Sequence, residues 1–255
     1  MGRYNKIKKT FFLLLIFYSI SISSPLYGQA MKGKFGLSGT SGLGFPLGDF
    51  SDKEKGRAQT GYGLGGNLEY FLTDNISLGA NFRYQKFEMY VKDLEDEFII
   101  FVHDSIPEAD TSGIDIHSDK SIIHLGIFGK YHFFMGNKFS PFIKMGAGWG
   151  KLEGSADMPG YVIYPGYTMT INRTTDASYD GDFYLDLGGG LLYRFSDKLG
   201  ISGELLFTHL ATDGNSGKVA TKTQADGDYQ EEEEKKTLDY NSSYINLLLT
   251  LSFFF

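Results

Sequence analysis

The chain has 255 residues, no cysteine and a formal charge of −7. Without cysteine there is no disulfide framework, thiol nucleophile or Cys-based zinc site, and so acidic a chain is a poor partner for nucleic acid. No apolar run beyond the first thirty residues reaches the roughly 18 needed for a membrane helix, so a membrane-spanning form must use strands. The N-terminus reads as a targeting segment. Arg3, Lys6, Lys8 and Lys9 precede an apolar run from Phe11 to Ile22, Pro25 breaks it, and Gly28-Gln29-Ala30 puts small residues at the −3 and −1 positions of a cleavage site. Residues 1–30 are expected to be a signal peptide and 31–255 the mature domain. Cleavage there removes four basic and no acidic residues, taking the formal charge from −7 to −11.

From Lys34 onward one pattern repeats: an alternating run, a tight turn, an alternating run, a long polar stretch. Alternate side chains of a strand face opposite sides. The first run has Phe35, Leu37, Leu43 and Phe45 on one face, with Gly36, Ser38, Thr40, Gly42 and Gly44 on the other. Residues 46–59 are polar, and Ser51-x-x-Glu54 has the spacing of a helix cap. The second run sets Tyr62, Leu64, Leu68, Tyr70 and Leu72 against glycines, Asn67 and Glu69. Thr73-Asp74-Asn75 turns the chain into the third, where Ile76, Leu78, Ala80, Phe82 and Tyr84 oppose Ser77, Gly79, Asn81, Arg83 and Gln85.

Residues 88–119 hold ten acidic residues and one lysine. The fourth run opposes Ile123, Leu125, Ile127, Tyr131 and Phe133 to His124, Gly126, Phe128, Lys130 and His132. After a turn at 135–138, the fifth opposes Ile143, Met145, Ala147 and Trp149 to Phe142, Lys144 and three glycines. Pro141 stands at its start, where a strand tolerates proline. A polar stretch over 153–181 leads to the sixth run, with Leu185, Leu187, Leu191 and Tyr193 opposite Tyr184, Asp186 and Arg194. Ser196-Asp197-Lys198 turns into the seventh, with Ile201, Leu205 and Phe207 opposite Ser202, Glu204 and Thr208. A last polar stretch, 212–239, contains Glu231 to Glu234. The eighth run, Tyr244 to Phe255, carries an unbroken apolar row of Ile245, Leu247, Leu249, Leu251, Phe253 and Phe255.

Eight runs with three short turns and four long loops in strict alternation form the pattern of a transmembrane barrel. The expected fold is all-β, an eight-stranded antiparallel up-and-down transmembrane β-barrel. A soluble barrel also alternates, but it would have to pack six or seven Leu- and aromatic-rich rows into one narrow interior. The apolar face is therefore expected to meet lipid, with glycine and charges inside. Aromatics group at the turn ends (Tyr70, Tyr131, Phe133, Tyr193, Phe195, Phe253, Phe255) and the loop ends (Phe45, Tyr62, Tyr84, Trp149, Phe183), as interfacial girdles do.

From Lys34 to Phe255 this pattern, with its terminal phenylalanine, resembles the small porin-family outer-membrane barrels of the OmpA, OmpX and OmpW type. The resemblance implies an outer-membrane location and an assembly signal in the closing strand, at Tyr244, Leu249, Leu251, Phe253 and Phe255. It implies outer-membrane lipid, lipopolysaccharide and the barrel assembly machinery as partners. It is not specific for activity, because such barrels include anchors, adhesion-related proteins, channels and lipid-modifying enzymes.

The inward charges Glu69, Arg83, Lys130, Lys144, Asp186, Arg194 and Glu204 are of mixed sign and are expected to pair as a structural plug. Gly61-x-Gly63-x-x-Gly66 has dinucleotide-fingerprint spacing but no helix after it. His124 and His132 are too far apart on one strand to share a metal, and no Ser-His-acid set follows from spacing. Asp93, Glu95, Asp96 and Glu97, and Glu231 to Glu234, are candidates for divalent cations beside lipopolysaccharide, although neither matches a defined calcium loop. No cofactor is expected. The favoured role is non-enzymatic, a structural or surface-interaction barrel with an external ligand at its loops. A narrow small-solute or ion channel and a lipid-modifying enzyme are the alternatives.

Overall fold

A computed structural model describes residues 30–92, 116–134, 137–164, 167–225 and 228–255. The expected signal peptide, 1–30, lies almost wholly outside the described residues, as do Asp93, Glu95, Asp96 and Glu97. Among the described residues eleven strands succeed one another: β1 (Phe35–Leu47), β2 (Ala58–Phe71), β3 (Ile76–Met89), β4 (His117–His132), β5 (Phe139–Tyr164), β6 (Tyr167–Tyr179), β7 (Asp182–Arg194), β8 (Leu199–Leu210), β9 (Ser216–Ala225), β10 (Asp228–Thr237) and β11 (Ser242–Phe254).

Eight of these make the wall: β1 to β4, the first half of β5, β7, β8 and β11. Each pairs antiparallel with the next, and β11 closes the ring by pairing with both β8 and β1, setting Leu247 opposite Leu205 and Leu43. Closure gives every wall strand two neighbours, so no sheet edge is presented to hydrocarbon. The predicted parity holds around the ring. Ile127 is 70 % exposed on the outside, whereas Glu204 is 2 % exposed within. Such an inversion is stable only where the outer solvent is acyl chain.

The short turns are built from side-chain caps. The Thr73 hydroxyl accepts the amides of Asn75 and Ile76, and Ser196 accepts those of Lys198 and Leu199. At this end Phe35 stacks against Tyr70 and Phe255, Tyr131 against Phe133, and Tyr193 against Phe139 and Phe195, forming one girdle. At the other end Tyr62, Trp149 and Phe183 are exposed as the second. On β4 the apolar band stops at Ile123. Above it outward side chains become polar and pair, Lys86 with Asp119 at 2.8 Å and Lys151 with Glu153 at 2.7 Å.

The long polar stretches differ from expectation. Residues 153–181 and 212–239 are largely strand. β5 runs on past the wall, exchanging its partner β7 for β6, and β6, β9 and β10 extend the same sheet outside the membrane. Its segments are rich in threonine, which favours extended backbone, and Ser216–Ala225 and Asp228–Thr237 carry polar or charged residues on both parities, so no apolar alternation announces them. In the first loop a 3-10 turn, Gly48–Phe50, forms instead of the helix predicted from Ser51-x-x-Glu54. Ser51 sits at its C-terminal end, its hydroxyl donating to the Gly48 carbonyl.

Candidate functional site

The interior is stacked in three layers. At the turn end, Met31, Phe71, Phe142, Leu192 and Phe254 form an apolar layer. The middle layer is ionic. Arg83 straddles Asp186, with Nη1 and Nη2 at 3.3 and 3.2 Å from its two oxygens, and also donates to Thr208, which donates to Asp186 at 2.6 Å. Lys130 bridges Glu69 at 3.3 Å and Glu204 at 3.8 Å, and Lys144 reaches Glu204 at 3.2 Å. Ser77 donates to Glu69, and His132 lies 3.4 Å from it. Three carboxylates thus face three cations, the balance that buried charge requires. Arg194 differs from the expected pairing set, since it sits at the turn end and donates to the Asn137 carbonyl at 3.3 Å.

At the loop end, Phe50, Phe87, Ile122, Leu152, Tyr184, Leu210, Tyr240 and Tyr244 form a second apolar layer. Phe50 enters from the first loop and packs edge-on against Phe87 at 5.0 Å. The expectation that glycine and charges alone fill the lumen is therefore corrected, because large rings fit where the opposite wall is glycine. A Cβ on Gly126 would strike Tyr184, and one on Gly79 would strike Phe128. Tyr244 belongs to this layer. It points inward and hydrogen-bonds His124, whereas Leu249, Leu251, Phe253 and Phe255 face outward, so Tyr244 is not part of the lipid-facing row.

His209 Nδ1 lies 2.8 Å from the Ser243 hydroxyl on the outer face, a pair that spacing did not reveal. Among the described residues no carboxylate lies within hydrogen-bonding distance of that imidazole. The Gly61–Gly66 segment is uninterrupted strand, without the helix a dinucleotide site requires. Glu231 and Glu233 face Lys222 and Lys218 on β9, at 3.7 and 2.7 Å, and Glu234 is 3.7 Å from Lys236. Alternation sends Glu232 and Glu234 to the other face, so the four do not converge on one cation.

Above the second apolar layer a cavity of about 610 Å³ opens between the inner face of the external sheet and the first loop. Leu152, Leu238 and Tyr240 are shared by the layer and the cavity. Lys120 lines it as well, although only 8 % exposed. Its ammonium donates to the Gly56 carbonyl and the Tyr240 hydroxyl, each at 2.6 Å. Lys120 lies above the lipid band, three residues before Ile123. Burial, with Arg57 nearby, lowers its pKa to about 7, and burial raises that of the Tyr240 phenol.

No protein-family model matches the sequence, and no curated protein matches it. Solved structures do. A major outer membrane protein from Thermus thermophilus is similar over 88 % of this chain and 99 % of its own, with 13 % identity and a TM-score of 0.52. Neisserial surface protein A aligns over 87 % of this chain and 99 % of its own (8 % identity, TM-score 0.46), and OprG of Pseudomonas aeruginosa over 90 % and 99 % (10 % identity, TM-score 0.46). Closed ring, lipid-facing rows and the Thermus likeness agree: the molecule has the fold of the small eight-stranded outer-membrane barrels.

Proposed function

We propose that this outer-membrane barrel is a sealed, non-enzymatic anchor that holds a stiff external sheet for surface interaction. The observation that carries the reading is the continuity of β5. One 26-residue strand serves first as barrel wall and then as part of the external sheet, so the platform is fixed to the membrane without a hinge. The layered interior supports closure, since a water file would have to cross two apolar layers and an ion-paired one. Outer-membrane lipid and lipopolysaccharide are the partners of the apolar band, and the outward row of β11 is the surface offered to the assembly machinery.

Reconstitution into planar bilayers tests the reading. The wild-type protein is expected to insert and give no steady single-channel current; a reproducible open level would refute the sealed anchor in favour of the channel. Lipid A from cells with and without the protein is expected to give identical mass spectra.

A further inference from the structure

The cavity above the barrel has the volume of a small-molecule site, commonly about 300–1,000 Å³, and its lining combines grease with unbalanced positive charge. Met89, Ile116, Leu152, Val219 and Leu238 supply apolar surface. The cations on it are Lys55, Lys120, Arg173 and Lys236. Two of these are exposed and already engaged, Lys55 with Asp49 at 3.1 Å and Lys236 with Glu234 at 3.7 Å. Lys120 is different. Among the described residues it has no carboxylate at ion-pairing distance, although it is buried. An ammonium has three donors; Gly56 and Tyr240 take two, which leaves one. A buried charge without a counter-charge is costly, so the site is poised to gain from an anion that brings its own apolar body.

We propose that this cavity binds a monoanionic amphiphile, an apolar chain or ring ending in one carboxylate, with the carboxylate on Lys120 and the apolar part against Leu152, Val219 and Leu238. Arg173 draws the anion toward the mouth, and Tyr240, whose ring lies 4.8 Å from the Lys120 nitrogen, forms one side of the head-group pocket. A dianion is matched less well, because only one buried cation awaits it. The proposal rests on the external sheet being the interaction face, but not on the lumen being closed.

Calorimetric titration of octanoate into the full barrel in lipid nanodiscs, with empty nanodiscs as baseline, tests it. Octanoate is expected to bind at least tenfold more tightly than octanol or octylammonium. Lys120→Met, which keeps the stem and removes the charge, is expected to weaken octanoate at least tenfold and leave octanol unchanged. Val219→Trp, which fills the cavity while leaving Lys120 in place, is expected to abolish octanoate binding. Folding of each variant is read from the shift in electrophoretic mobility on heating. Heat no greater than that of empty nanodiscs, equal affinity for octanoate and octanol, or octanoate binding unchanged in folded Lys120→Met would each overturn the proposal. None of those results bears on conductance, so failure here is distinguishable from failure of the sealed-anchor reading.

Discussion

Arg83 and Asp186 show how a charge survives inside this barrel. Both are nearly inaccessible, the contact is two-pronged, and Thr208 adds a third donor to the carboxylate. Removing one partner strands the other, whereas removing both strands neither. Asp186→Leu is expected to cost about 3–5 kcal/mol and the Arg83→Met, Asp186→Leu double variant far less, measured by urea unfolding in lipid vesicles. Near-additive losses would show that each charge is held by groups other than its partner. Lys120 carries a different prediction. Its pKa is lowered to about 7, below that of a free lysine, so it is charged below that pH and neutral above it, while octanoate stays ionised throughout. The cations around it are Arg57, Lys55, Arg173 and Lys236, of which Lys55 is paired with Asp49 and Lys236 with Glu234, and the Tyr240 and Tyr179 phenols, with Asp239 beside Tyr240, complete the surroundings. Octanoate affinity is therefore expected to be level below about pH 7 and to fall by about tenfold per pH unit above it. Affinity unchanged between pH 6 and pH 9 would assign the binding to a permanently charged group such as Arg173.

At the scale of the strand, β11 and the β9–β10 hairpin stand for two kinds of element. β11 closes the ring, and its outward Leu249, Leu251, Phe253 and Phe255 offer a continuous apolar row. Phe253→Ser with Phe255→Ser is expected to lower the assembled fraction in the outer membrane several-fold. Tyr244→Phe, which keeps the inward ring, is expected to leave that fraction unchanged; quantitative heat-shift gels measure both. Among the described residues the β9–β10 hairpin pairs only with β6 and with itself. Replacing residues 216–237 by a short Gly-Ser link is expected to leave the heat-shifted barrel intact and to remove the octanoate site. The same contrast explains what the residues made legible. Wall strands have one wet or ionic face and one lipid face, so parity betrays them: Leu247, Leu249 and Leu251 against Asn246 and Thr250. The β9–β10 hairpin carries polar or charged residues on both parities, and Asp228–Thr237 reads as a charge run rather than a strand. Lys120 was missed although it shares the inward parity of Ile122, His124 and Lys130, because it falls in the gap between the acidic stretch that ends at 119 and the alternating run that begins at Ile123. The aromatic layers were missed because a ring's room depends on which glycine faces it, and facing pairs such as Gly126 and Tyr184 are set by barrel closure, not by local spacing.

The barrel carries three packed layers across its interior. The lower layer of Phe71, Phe142, Leu192 and Phe254, the ion-pair layer, and the upper layer around Phe50, Phe87 and Tyr244 lie in series along one axis. Seals in series have a consequence that a single constriction lacks: opening one leaves the path shut. Phe71→Ala with Phe142→Ala removes two of the rings of the lower layer. Each substitution is expected to cost about 3–5 kcal/mol as a buried phenylalanine lost and removes a ring contact to His132 and, for Phe142, to Lys130, yet the strand pairing that closes the ring is unchanged, so the heat-shifted form is expected to persist. In planar bilayers this folded double variant is expected to remain as silent as wild type. Adding Glu204→Ala and Lys144→Ala thins the ionic layer, leaving Arg83–Asp186 and Lys130–Glu69 in place, and the upper rings still block the file. Current is expected only when Phe50→Ala and Phe87→Ala are added as well. A steady open level in the Phe71→Ala, Phe142→Ala variant alone would place the whole barrier at the turn end. The ion pairs and upper rings would then be fillers of the wall rather than seals.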